Sequence, residues 1–169
     1  MTKTDTKRTW YEPDSDGCNK LDDEQLLQWI KKSQEKLSRE GKTCKLVIGT
    51  DSHTAGVHFR FVTSVCLLTQ GSGGFYYYTT AYESKLNYKK NHQFRMFAEV
   101  QKSVDLADFF LEHLGLVSEI HIDASPKEAN EFTSPFSDSL KGMVLGSGYQ
   151  CEIKPLAWAA NCVSDRHTR

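Results

Sequence analysis

Residues 45–51 read Lys-Leu-Val-Ile-Gly-Thr-Asp, and no other stretch narrows the available folds as much. Three consecutive aliphatic side chains do not alternate with polar ones, as they would on a half-exposed strand. They suit a strand covered on both faces, at the centre of its sheet. Such a strand needs helices above and below it, so the chain is predicted to be α/β. The flanking patterns agree. Leu26, Leu27, Ile30 and Leu37 recur at helical spacing behind Asp22, Asp23 and Glu24, acids suited to a helix N-terminus, and Gly41 stops the run. Residues 58–69 and 75–83 are rich in Phe, Tyr, Val and Thr, and Gly71, Ser72, Gly73 and Gly74 between them make a tight reversal cheap, which predicts an antiparallel hairpin.

Asn91 to Leu114 carries the longest helical pattern, with Phe97, Val100, Val104, Ala107, Leu111 and Leu114 on one arc and Gly115 as a stop signal. Glu119 to Asp123 follows as a strand. Ser134 and Pro135 open a short helix, Cys151 to Lys154 alternate like an edge strand before Pro155, and Trp158 to His167 forms a last short helix. This order predicts a mixed five-stranded sheet: three antiparallel strands, then parallel strands reached through helices, with helices on both faces and an extra helix at 21–41. Residues 1–20 mix charges with Thr, Asp, Pro and Gly and offer only Trp10 and Tyr11 as bulky apolar groups. They are predicted to be a mobile or docked arm, with 45–169 as the domain proper.

A length of 169 residues suits one domain, and 21 basic against 22 acidic residues exclude a strongly polybasic or polyacidic character. The longest apolar stretch, Phe61 to Leu68, is broken by Thr63 and Ser64 and falls short of the roughly 20 residues a membrane helix needs. Residues 1–20 lack the apolar core of a secretory signal, and the five cysteines never form C-x-x-C. The expectation is a cytoplasmic protein with free thiols and no membrane contact.

Asp51 and Asp123 each stand at the end of a predicted buried strand, and in open α/β sheets ligands bind outside the carboxyl ends of such strands. If the two strands are neighbours, the carboxylates meet. The competing reading is that each Asp caps a turn, as Asp51-Ser52 and Asp123-Ala124-Ser125-Pro126 would allow. Glu99 lies within about 20° of Leu106 and Phe110 around its helix, whereas Asp105, Asp108 and Glu112 lie about 120–180° away, where a solvated face is expected. A carboxylate turned inward must be paired, protonated or bound to a cation, and a buried salt bridge is the competing reading for Glu99. Asp165 shares a helical face with Trp158, so an inward Trp158 turns it inward too; exposure at the helix end is the alternative. Acids converging on one spot repel one another unless a divalent cation lies between them, and oxygen ligands of this kind favour Mg²⁺ or Mn²⁺ over zinc.

Ile48-Gly49-Thr50-Asp51-Ser52, Phe61-Val62-Thr63, Ile120-His121-Ile122-Asp123, Ile153-Lys154-Pro155 and the stretch from Ala160 to Thr168 around Ser164-Asp165-Arg166-His167 together resemble the ribonuclease H-like superfamily, and within it a bacterial and phage family of predicted nucleases. The resemblance covers about residues 45–169. It implies that the first strand, the long helix, the fourth strand and the last helix each supply one acid, places matched by Asp51, Glu99, Asp123 and Asp165. It further implies phosphodiester hydrolysis with two Mg²⁺ or Mn²⁺ ions about 3.5–4 Å apart, Asp51 bridging both, Asp123 and Glu99 holding one and Asp165 the other. His167, beside the last acid, is a candidate proton carrier, although a histidine there is more often merely exposed; His53 has the same ambiguity.

A nuclease also needs a grip on phosphates. Lys85, Lys89, Lys90, His92 and Arg95 lie in a stretch from 84 to 98 that contains no acid and leads into the helix of Glu99. Tyr82 and Tyr88 could stack on bases, though a Tyr-rich hairpin is more often sheet surface. Clustered Cys and His for zinc, a Gly-Lys-Ser/Thr phosphate loop and Gly-x-Ser-x-Gly are all missing. The expected function is a divalent-metal-dependent nuclease, with RNA of RNA–DNA hybrids as the first candidate substrate. The competing expectation is a non-catalytic nucleic-acid-binding or assembly module on the same fold.

Overall fold

The computed structural model describes residues 7–13, 19–69, 71, 73–88 and 91–168, apart from the side chains of Asn161, Cys162, Asp165 and Thr168. In chain order its strands are β1 (Trp10–Tyr11), β2 (Lys20–Leu21), β3 (Cys44–Ala55), β4 (His58–Thr69), β5 (Gly73–Ser84), β6 (Ser118–His121) and β7 (Gln150–Glu152). Its helices are α1 (Asp23–Arg39), α2 (His92–Leu114), α3 (Ser137–Gly146) and α4 (Asp165–Thr168), the last continuing a π-helix at Ala159–Ser164. The strands form one mixed sheet in the order β2-β1-β5-β4-β3-β6-β7. β3 is antiparallel to β4 and parallel to β6, and β7 is parallel to β6.

The apolar run at 45–51 is central as expected, and its alternation explains the two cores. Leu46 and Ile48 face α1, α2 and α3 together with Val65, Leu67, Val104, Phe110 and Val144, while Val47 packs with Cys66, Ala159 and Trp158 under the C-terminal segment. Gly49 makes the second packing possible. A Cβ there would lie 2.5 Å from Ala160 N and 2.6 Å from Ala159 C, so only hydrogen leaves room for the π-helix to cross β3. On the other face Thr50 Oγ1 lies 2.8 Å from Ser103 Oγ and 3.0 Å from Thr63 Oγ1, tying α2 to the sheet through buried hydroxyls. Helix α2 is capped by Asn91, whose side chain accepts from Gln93 N at 2.9 Å, and ends on Gly115 in the left-handed region at φ 66°.

Two expectations need correction. The sheet has seven strands where five are predicted, because the arm adds β1 and β2 to its edge. Trp10 is fully buried and its Nε1 donates to Asp23 Oδ1 at 2.7 Å, while Tyr11 pairs with Tyr78 on β5. One indole, with a hydrogen-bond partner at its polar edge, anchors a segment whose average composition is that of a loop. The last helix is also irregular. Its π turn breaks the 100° phase that relates Trp158 to Asp165, so α-helical spacing does not set the direction of Asp165. The side chain of Asp165 lies outside the described residues, as do Lys89 and Lys90. Among the described residues no helix is long and apolar enough to cross a membrane. Cys44, Cys66 and Cys151 are free thiols, and burial pushes that of Cys66 up to about 12.

Candidate active site

Sheet register brings the two strand acids together. Strand β3 runs four residues past Asp51, to Ala55, because its hairpin with β4 stays paired to the end. Its pairing with β6 stops earlier, at Gly49 opposite His121. Asp51 and Asp123 thus both lie just past the carboxyl end of the parallel part of the sheet, Asp51 on the extended β3 and Asp123 in the turn after β6. Beyond His121, which lies opposite Glu152, the ladder ends: Ile122 N still bonds Glu152 O at 2.9 Å, but Ala124 N turns back to Ile122 O at 2.8 Å and Lys154 N bonds Ala124 O at 3.0 Å, which brings Lys154 to Asp123. Asp51, Asp123 and Lys154 therefore form one row, with Lys154 Nζ 2.8 Å from Asp123 Oδ1.

Glu99 reaches this row from α2. It is 9% exposed, whereas Asp105, Asp108 and Glu112 on the same helix are exposed, as their angular positions predict. Ser52 Oγ donates to Glu99 Oε1 at 2.5 Å, and Arg95 Nε lies 3.9 Å from the same oxygen. Burial pushes the Glu99 carboxyl upward first. The charge of Asp51 adds to this, the Ser52 hydrogen bond and Arg95 oppose it, Asp123 adds a smaller upward push, and the balance falls at about 8. Asp51, Glu99 and Asp123 thus share one electrostatic field, which together with burial favours the protonated form of Glu99.

The family model described as Ribonuclease H-like matches residues 25–169. The chain belongs to that family. The match begins inside α1, so it takes in most of that helix as well as the span of the sequence resemblance. No match is found among curated proteins or solved structures.

Ribonuclease H-like proteins are often metal-dependent, which makes the fit of these residues to a divalent cation the next question. Among the described residues no three His, Cys, Asp or Glu side chains stand close enough to hold one ion. In kind and charge the set still fits Mg²⁺ or Mn²⁺. Its donors are carboxylate oxygens that act on one another, and Glu99 needs only to lose the proton that burial, and after it the charge of Asp51, favours. Asp51, Glu99 and Asp123 would hold such an ion. The backbone of α4, which carries Asp165, packs against β3 and β4. The helix leading into it is seated by Ser64 and Ser164, whose hydroxyls lie 2.9 Å apart and within 3.3 Å of the Gly49 and Ala159 carbonyls. Buried His121 adds a third tie, accepting from Ala159 N at Nδ1 and donating from Nε2 to Glu119 Oε1 at 2.9 Å.

Of the basic stretch, Lys85, His92 and Arg95 come together around a cavity of about 240 Å³ that Thr54, Phe59 and Asn91 complete. Arg95 lies 5.2 Å and Lys85 5.6 Å from the Phe59 ring centroid. Arg95 Nη2 donates to His92 Nε2 at 2.6 Å, so that nitrogen carries no proton, and burial followed by the Arg95 charge lowers the pKa of His92. Arg95 Nε is buried without a hydrogen-bond partner. Tyr88 is buried against Phe59 and Phe61, so of the two tyrosines only Tyr82 is exposed. His53 is exposed on β3. His167 stacks on Tyr78 at 3.8 Å between ring centroids, with Nε2 3.0 Å from Tyr76 OH. Two residues of the site escape sequence reasoning. Both stand in stretches that carry the family resemblance, but by pattern Ser52 reads as a turn residue after Asp51 and Lys154 as the exposed phase of an edge strand, so neither is given a role; only the tertiary contacts with Glu99 and Asp123 single them out.

Proposed function

We propose that this protein is a Mg²⁺- or Mn²⁺-dependent nuclease that hydrolyses phosphodiester bonds in nucleic acid. The observation that carries this reading is the buried Glu99 carboxyl, held by Ser52 beside Asp51 and within the field of Asp123, in a chain of the Ribonuclease H-like family. Here a proton on Glu99 and the Lys154 charge at Asp123 relieve the repulsion among these acids, a task that a divalent cation can take over. A bound divalent cation supplies an activated water and charge stabilisation at the leaving oxygen. Asp51 and Asp123 offer carboxylates from the row, Glu99 joins them on losing its proton, and Ser52 fixes the orientation of Glu99. Asp165 is the fourth acid of the set. The cavity of Lys85, His92 and Arg95 receives a phosphate of the strand near the N-terminus of α2, whose first turn carries no acid. His167, engaged by Tyr76 and Tyr78, anchors α4 on β5 in this scheme and is not needed to carry a proton.

RNA in an RNA–DNA hybrid is the first substrate to try. The test is cleavage of labelled hybrid, duplex and single-stranded oligonucleotides with and without Mg²⁺ or Mn²⁺, with Asp51→Asn and Asp123→Asn as controls. Metal-dependent cleavage that both substitutions abolish supports the proposal, and cleavage unchanged by them refutes it. A second reading, a non-catalytic nucleic-acid-binding module, draws on the ion pair between Lys154 and Asp123 and on the finding that, among the described residues, no three acids stand close enough to hold one ion. It requires oligonucleotide binding with no cleavage under any of these conditions.

A further inference from the structure

Lys154 has no counterpart in the four-acid scheme, yet it stands in the acid row. Its backbone is pinned beside Asp123 by the Lys154 N to Ala124 O hydrogen bond, whereas its side chain is 35% exposed and that of Asp123 27%. The negative charges of Glu131 and Asp51 act on it as well as that of Asp123. An ion pair this open to water adds little to stability. What it does supply is one positive charge among three carboxylates, on a flexible stem over a fixed anchor. A strand phosphate approaching that row meets repulsion from the aspartates, and Lys154, 2.8 Å from Asp123, is a cation placed to answer it. Its ammonium is a compact point charge that exchanges partners readily, unlike the planar fork of arginine.

We propose that Lys154 is a catalytic residue with two partners: it neutralises Asp123 in the resting site, and when Asp123 ligates a divalent cation it contacts a non-bridging oxygen of the substrate phosphate. This rests on the metal-dependent reading above. Two measurements on the full chain test it. In Mn²⁺ titration calorimetry, Lys154→Met binds the ion about fivefold more tightly than wild type, because a competitor for Asp123 is gone. In oligonucleotide binding at saturating Ca²⁺, with the strand verified intact, the same variant loses about 0.7 from the slope of log affinity against log salt, the share of one phosphate contact on a single strand. Lys154→Arg, which keeps the charge, retains the wild-type slope and controls for folding. An unchanged slope in Lys154→Met, or Mn²⁺ affinity that falls, overturns the proposal while leaving the nuclease reading intact. Failure of wild type to bind Mn²⁺ at all overturns both.

Discussion

The proton on Glu99 makes a thermodynamic prediction that needs no substrate. The folded protein holds this proton up to about 8, while the unfolded chain releases it near the ordinary 4.5. Between those values the folded state binds one proton more, so stability must fall as pH rises, by up to about 1.4 kcal/mol per unit. Over the whole window the ceiling is about 4–5 kcal/mol. Glu99→Gln keeps the shape and the acceptor for Ser52 but has nothing to lose, so this component vanishes. His92 and His121 are both lowered, by burial first, and act in the opposite sense, but they are common to both proteins and cancel in the difference. Urea unfolding followed by tryptophan fluorescence in metal-free buffer, at half-unit steps from pH 5 to 8, measures the two curves. Glu99→Gln is expected to gain on wild type steadily across this range. Parallel curves would refute the idea that buried Glu99 holds a proton in the folded state. The same proton appears in ion binding: at pH 7 Mn²⁺ should displace protons from wild type and fewer from Glu99→Gln, read from calorimetry in buffers of different ionisation enthalpy.

Gly49→Ala places a methyl against the backbone of Ala159 and Ala160. It should lower stability by about 1–3 kcal/mol or more in urea unfolding, with exchange protection lost first at 159–168; unaltered protection there would show that β3 and the π-helix are not in contact. Trp10→Ala removes the buried anchor of the arm and should cost about 3–5 kcal/mol, whereas Trp10→Phe, which keeps most of the apolar area and leaves Asp23 with Arg8, should cost less. Equal costs for the two substitutions would place the stabilising effect in the hydrogen bond to Asp23.

Periodicity carried a large part of this architecture. The aliphatic run at 46–48 announced a central strand, the Asn91 to Gly115 pattern announced α2 with its caps, and the angular position of Glu99 set it apart from Asp105, Asp108 and Glu112. These features are legible because each depends on the local repeat of a helix or strand, which sequence spacing encodes directly. The arm was not legible, since its strands depend on one indole finding a cavity between distant elements. Nor was the direction of the last helix, because a single π turn shifts every later residue.

The family, the four candidate acids and the central strand thus follow from the order of residues alone. The row of Asp51, Asp123 and Lys154 does not, because it arises from β3, β6 and β7 lying side by side and from the turn that Asp123 makes after β6, and pairing between distant segments leaves no periodic mark in either. The protonation of Glu99 likewise belongs to the folded chain: it needs burial and two charges that are neighbours only in space.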